Sequence, residues 1–162
     1  MRILGIDPGL QVCGYACLET IADKERFIEA GVLRTDGEMP IETRLNSIAE
    51  DIKSLLEKFE PEIVAVEELY SHYTHPKTAI LMGHARGVIL QKCAEAGTEV
   101  KSFSATRIKK SITGNGKASK EQMQRTIQRI LSLNKMPEPS DVADAIAAAL
   151  CCVNSINNAI VT

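Results

Sequence analysis

Asp7 closes the opening run of the chain, RILGID, and a Pro-Gly break follows it. A carboxylate left unpaired at the end of an otherwise apolar strand is expensive, so Asp7 requires a neutralising partner or access to a cation. Glu67 raises the same question, because it ends the β-branched run EIVAVE, Glu62 to Glu67. If the two strands are parallel neighbours, both acids emerge at one edge of the sheet, where open α/β sheets place their sites. Asp141 and Asp144 stand three apart at the start of the last apolar segment. On a helix they project from one face with Cβ atoms roughly 5–6 Å apart. Asp141 also suits a helix N-terminus, whose free N–H groups favour a carboxylate. That plain explanation is weaker for Asp144, which faces an otherwise apolar helix. Four acids converging without a basic partner repel one another, and a hard divalent cation with oxygen ligands relieves that repulsion. Mg²⁺ is the natural candidate, and two such ions about 3.5–4 Å apart can activate a water and stabilise the leaving oxygen in an in-line attack on a phosphodiester.

The elements that must carry these acids can be read from the periodicity. Arg2 to Asp7, Val12 to Glu19 and Arg26 to Thr35 read as three strands of a meander. Ile41, Leu45, Ile48, Ile52, Leu55, Leu56 and Phe59 recur at spacings of three and four, which predicts an amphipathic helix ended by Pro61. Strand, helix and then the strand Glu62 to Glu67 imply a parallel crossover and hence a mixed sheet. Pro76 opens a second long helix to about Ala96, and a fifth strand, Thr98 to Phe103, follows Gly97. Ser104 suits the cap of a short helix through Ser111; Ser119 with Gln122 forms a capping-box pattern for a helix to about Leu133. The loop TGNGK, Thr113 to Lys117, separates the two. Ser140 suits the cap of a last, Ala-rich helix from Asp141 to about Val153.

The chain has 162 residues, enough for one domain spanning 1–162 with a sizeable core. Its balance of 44% apolar and 25% charged residues argues against a disordered or collagen-like chain. The longest uninterrupted apolar stretch, Ala145 to Val153, falls far short of the roughly 20 residues that span a bilayer. With no secretory pattern at the start, the cytoplasm is the expected location and no membrane is a partner. Five cysteines, with no Cys-x-x-Cys pair, disfavour a disulfide framework and a zinc site and suit buried packing instead. Net charge is −2, but from Ala105 to Lys135 eight basic residues face Glu121 alone, so this segment carries +7 and the remainder −9. Such a division lets one surface attract an anionic polymer while the whole stays near neutral, although a solvated helical face gives the same pattern.

The stretches ILGIDPGL, CGYA, VAVEELY, GHARGV, ATRIKKSITGNGKASKEQM and DVADAIAAAL, in this order and spacing, resemble the RuvC family of Holliday junction resolvases over nearly the whole chain. The resemblance implies an α/β, ribonuclease-H-like fold with a five-stranded mixed sheet flanked by helices. It implies a homodimeric, Mg²⁺-dependent endonuclease, with Mn²⁺ as an alternative ion and two ions per site, that resolves four-way DNA junctions by paired nicks. By motif position Asp7, Glu67, Asp141 and Asp144 match the family's metal-binding acids, and Lys109 and Lys120 match basic positions beside its active site. Tyr70 falls where the family carries an aromatic that stacks on bases, a contact worth about 1–3 kcal/mol; a core tyrosine is the plainer reading. Lys110, Lys117, Arg125 and Arg129 suit contacts to backbone phosphates or solvated charge equally. Gly83 and Gly87 in GHARG permit close helix approach, internal by default but at a dimer interface by resemblance. A branch-migration helicase is the implied partner. Family members often carry a basic tail after the last helix, whereas this sequence has no Lys or Arg after Lys135.

Three other functions fit parts of the pattern. A ribonuclease of the same fold shares the early Gly-Ile-Asp-x-Gly but does not account for the basic RIKKSITGNGKASK block. Half of an actin-like phosphotransferase would need a second domain to clamp its nucleotide. A non-catalytic junction-binding module would leave the acid set without a purpose. His72 and His75 in YSHYTHP lack neighbouring acids or thiols and give little reason for zinc.

Overall fold

The computed structural model describes residues 1–22, 24–69 and 76–160. Three strands, β1 (Arg2–Asp7), β2 (Val12–Ile21) and β3 (Lys24–Arg34), form the antiparallel meander expected from the sequence. Helix α1 (Ile41–Phe59) crosses over to β4 (Ile63–Glu67), and α2 (Pro76–Glu95) crosses to β5 (Glu99–Phe103). Both β4 and β5 run parallel to β1, which gives one mixed sheet in the order β3-β2-β1-β4-β5. Three further helices follow: α3 (Ala105–Thr113), α4 (Lys120–Ile130) and α5 (Ser140–Ile160).

The central strands are apolar on both faces because both are covered. On one side Leu4, Ile6, Val64 and Val66 pack against Ile48, Ile52 and Phe59 of α1 and Ala85 and Ile89 of α2. On the other, Ile3, Ala16, Leu18, Ile63 and Ala65 lie under α5, with Ile108 and Ile112 of α3 and Met123 and Ile127 of α4 completing the layer. The result is a five-stranded mixed sheet flanked by helices on both faces, the architecture that the family resemblance implies. All five cysteines are buried and free.

Helix ends follow local chemistry. The Ser104 side chain accepts a hydrogen bond from Arg107 N–H at the start of α3, and Gly114 ends that helix in the left-handed region at φ 77°. At α4 the capping box is complete: Ser119 Oγ accepts from Gln122 N–H, and Gln122 Oε1 accepts from Ser119 N–H at 2.9 Å. Helix α5 differs from expectation in both ends. It begins at Ser140 rather than Asp141 and runs seven residues past Val153. Tertiary contacts overrule the weak propensity of NSINNAI there, since Asn154 Nδ2 donates to Ser111 Oγ at 3.0 Å and Ile156 packs on the core.

Candidate active site

Strand register brings the first two acids together. On β1 and β4 the pairs Ile3↔Ile63, Gly5↔Ala65 and Ile6↔Val66 run in parallel, so Asp7 and Glu67 fall side by side one step beyond the last pair. Alternation along each strand sets their face, because Ile3 and Gly5 share it with Asp7, and Ile63 and Ala65 share it with Glu67. That is the face covered by α5. Glu68, just past β4, is exposed and donates its backbone N–H to Phe103 O at 2.9 Å.

Two glycines let α5 lie directly on the sheet. A methyl group on Gly5 would stand 2.1 Å from Ala145 O, and one on Gly14 would stand 2.0 Å from Asp141 O. Neither strand position can carry a side chain with the helix where it is. Gly14 is also the register partner of Asp7 across the β1–β2 ladder. The backbone of Asp141 therefore rests on the sheet position beside Asp7, and Asp144, one turn on, joins it over the ends of β1 and β4.

The carboxyls feel one another strongly. Burial pushes the Asp7 carboxyl up to about 8, and the negative charges of Asp144, Glu67 and Asp141 add to the rise, against a smaller opposite pull from Lys120. Glu67 is pushed up to about 7 by burial and then by Asp144, with Lys109 and Lys120 drawing it back. Burial likewise raises Asp144, which Lys120 chiefly offsets. Lys120 Nζ lies 3.6 Å from Asp144 Oδ2 and donates to Ser140 Oγ at 3.4 Å. Among the described residues no three of the ligating side chains close around a single point, so the four acids are coupled through their fields rather than already gathered about an ion. As a donor set they suit a hard cation: all are oxygen ligands and all are partly buried.

The sequence matches the profile of the family described as "Crossover junction endodeoxyribonuclease RuvC" over residues 3–152. The RuvC of Rhodopirellula baltica is 44% identical over 158 residues, covering 98% of this chain and 89% of the relative. The chain belongs to the RuvC family. Among solved structures, Thermus thermophilus RuvC in complex with Holliday junction substrate superposes with a TM-score of 0.92 at 32% identity, covering 98% of this chain and 96% of the other. The yeast mitochondrial Holliday junction resolvase Ydc2 shares the fold, with a TM-score of 0.68 at 15% identity over 94% of this chain and 77% of the other.

On this RuvC scaffold the two lysines expected beside the acids arrive from different helices. Lys109 projects from α3, which is anchored by Ile108 and Ile112, and its charge reaches Glu67 and Asp144. Lys120 is the first residue of α4, fixed by the Ser119 capping box. Lys110 and Lys117 are exposed and form no ion pair among the described residues, while Arg125 is paired with Glu121 at 2.6 Å one turn away. Tyr70, His72 and His75 lie outside the described residues. A cavity of about 600 Å³ beside Lys53, Glu57, Glu60 and Glu95 sits at the far end of the sheet and holds none of these acids.

Arg86 has a role that its sequence context does not signal. Its Nη2 donates to Ser102 Oγ at 2.8 Å and its Nε to Glu67 O at 3.4 Å, so it ties the ends of β4 and β5 together under Glu67. The residue lies within GHARGV, but partners on two strands 19 and 16 residues away in the chain leave no local signal. No described helix is long and apolar enough to cross a membrane.

Proposed function

We propose that the protein resolves four-way DNA junctions, cutting two strands of like polarity by hydrolysis of one phosphodiester in each. The observation that carries this is the meeting of Asp7 and Glu67 in strand register beneath the Asp141–Asp144 face of α5, flanked by Lys109 and Lys120 from an otherwise basic segment. A structure of its RuvC relative from T. thermophilus holding a Holliday junction, closely similar in fold, supports the choice of substrate.

Asp7, Glu67, Asp141 and Asp144 would hold divalent cations, Mg²⁺ or in its place Mn²⁺, two per site. Such ions supply an activated water and a counter-charge for the leaving oxygen. The protein's own part is to fix the four oxygen donors by strand register and helix docking, and to hold the phosphate with the ammonium groups of Lys109 and Lys120. Lys110, Lys117 and Arg125 would bear on neighbouring backbone phosphates, Arg125 only by leaving Glu121. Tyr70 would stack on a base at the junction centre. Residues 1–162 would act as one nuclease domain, paired as a homodimer because two symmetric cuts call for two equivalent sites. Two features of α2 support that pairing: among the described residues nothing stands within 4 Å of where a side chain on Gly87 would begin, and Ile80 is 62% exposed. A branch-migration helicase is the partner this activity calls for, and a cytoplasmic location suits it.

The deciding assay is cleavage of an end-labelled synthetic junction beside a linear duplex of the same sequence, with and without Mg²⁺, for the wild type and Asp7→Asn. Paired nicks confined to the junction, the metal and the intact Asp7 are expected. Binding without cutting across many core sequences would overturn the reading in favour of a recognition module.

A further inference from the structure

A second basic site lies along α5, away from the acids. On α3, Arg107, Lys110 and Ser111 stand at i, i+3 and i+4, and on α5 Cys151, Asn154 and Ser155 repeat that spacing, so each set forms one helix face. The two faces line a cavity of about 230 Å³ between the helices. No acidic side chain lines it, and neither Arg107 nor Lys110 forms an ion pair among the described residues.

The arginine is held ready. Its guanidinium carbon sits 4.9 Å from the centre of the Phe103 ring, and its Nη2 donates to Ser155 Oγ at 2.9 Å. A guanidinium has five N–H donors, so this one bond leaves an oriented fork with capacity to spare. Opposite it, Asn154 Nδ2 donates to Ser111 Oγ at 3.0 Å, which fixes both polar groups at the pocket wall. Burial raises the Cys151 thiol, while its bond with Ser111 and the Arg107 charge pull the other way, so the cationic field reaches the pocket floor. Two unpaired cations, a preset fork and small hydroxyl and amide donors form an oxyanion site of phosphate size.

We propose that this pocket grips one backbone phosphate of the bound DNA strand, away from the phosphate being cut, and so sets the strand's register over the acids. The idea rests on the nuclease reading of those acids. Seven residues separate Asp144 from Cys151, which at 1.5 Å per residue is about 10 Å along the helix. The gripped phosphate is therefore a different one from the phosphate being cut. The plainer alternative is that Arg107 and Asn154 merely tie α3 to α5. That alternative predicts a loss of thermal stability without a change in how binding responds to salt.

The test measures DNA binding by fluorescence anisotropy between about 50 and 200 mM salt, on a four-way junction and on a linear duplex. The wild type, Arg107→Ala with Lys110→Ala, and Arg107→Lys are compared, with melting temperatures recorded. The double variant is expected to bind both DNAs about tenfold more weakly, with a log–log salt slope shallower by about one. Arg107→Lys keeps the charge and loses the fork, so it keeps the slope while losing part of the affinity. Single neutral methylphosphonates scanned along the cut strand should reveal a position away from the cut at which the wild type is weakened and the double variant shows no further loss. Unchanged affinity and slope in the double variant, or methylphosphonate losses that add to its own at every position, would overturn the pocket. A wild type that treats junction and duplex alike, with the slope change intact on both, sinks the junction reading and leaves the pocket standing.

Discussion

Asp7 and Glu67 are acids whose folded environment resists their charge. Their ordinary values near 3.8 and 4.5 are those of the unfolded chain, whereas in the fold they are pushed up to about 8 and about 7. Between these limits the native protein holds protons that the unfolded chain has released. Stability of the metal-free protein therefore falls as pH rises from about 4 toward 8, opposite to the trend for salt-bridged carboxylates. Differential scanning calorimetry of the metal-free protein should show a melting temperature several degrees lower at pH 8 than at pH 5.5. Asp7→Asn should flatten that slope, because the amide never charges. Divalent cation added at pH 8 should restore the lost degrees in the wild type, since a ligand bound by the folded state alone stabilises it. A melting temperature that is flat or rising over this window would show that the four acids do not burden one another. Below pH 6 the same protons compete with the cation, so junction cutting should decline on the acid side. Asp144→Asn should lower cutting by at least about a hundredfold at every pH, by loss of a charge that the site is built around.

Helix α5 reaches the acids because two strand positions have no side chain. Gly14→Ala would drive a methyl into the Asp141 carbonyl, and only backbone movement can relieve that contact. The expected cost is about 1–3 kcal/mol in urea unfolding, with the first turn of α5 displaced and cutting lost out of proportion to stability. Gly37→Ala, where nothing stands within 4 Å, should change neither. Here the limits of the sequence become plain. Ser104 and Ser119 announce their helices because a cap acts on residues two or three positions away, and both caps form as read. Asp7 and Glu67 were legible as strand ends, and their pairing needed only a parallel neighbour. The roles of Gly5 and Gly14 were not legible, since a missing Cβ gives no sign of which distant backbone it admits. The last turns of α5 and the hold of Arg86 on β4 were missed for the same reason, as their partners lie at Ser111 and Ser102, far along the chain. Chemistry borne by residue type could be read, while chemistry borne by long-range approach could not.

At the scale of the whole molecule, α2 is the element with an unexplained face. Its inner side is settled, because Ala85, Ile89 and Cys93 are buried against the sheet. Ile80, Gly83 and Gly87 lie on another side, where the nearest neighbour of a methyl on Gly83 is a Leu69 side-chain carbon at 3.8 Å and one on Gly87 meets nothing. Glycines cost helix stability relative to alanine, roughly 1 kcal/mol each, and among the described residues neither is closely packed, which suits the proposed approach of a neighbour from outside. A second copy presenting the same face would satisfy both glycines and cover Ile80 with a single two-fold contact. Ile80→Glu places a charge at the centre of that proposed contact and should convert the proposed dimer into a monomer in sedimentation velocity. Ile21→Glu, at a residue 54% exposed beside the β2–β3 connection, should leave the dimer intact. Junction cutting adds a readout that mass alone does not give. Two sites held in one dimer release paired nicks nearly together, whereas monomers cut one strand and leave the other for a separate encounter. On a supercoiled plasmid that extrudes a cruciform, the wild type should yield linear product directly and Ile80→Glu should accumulate nicked circles. If Ile80→Glu sediments as a dimer and still linearises the plasmid, the pairing does not run through α2.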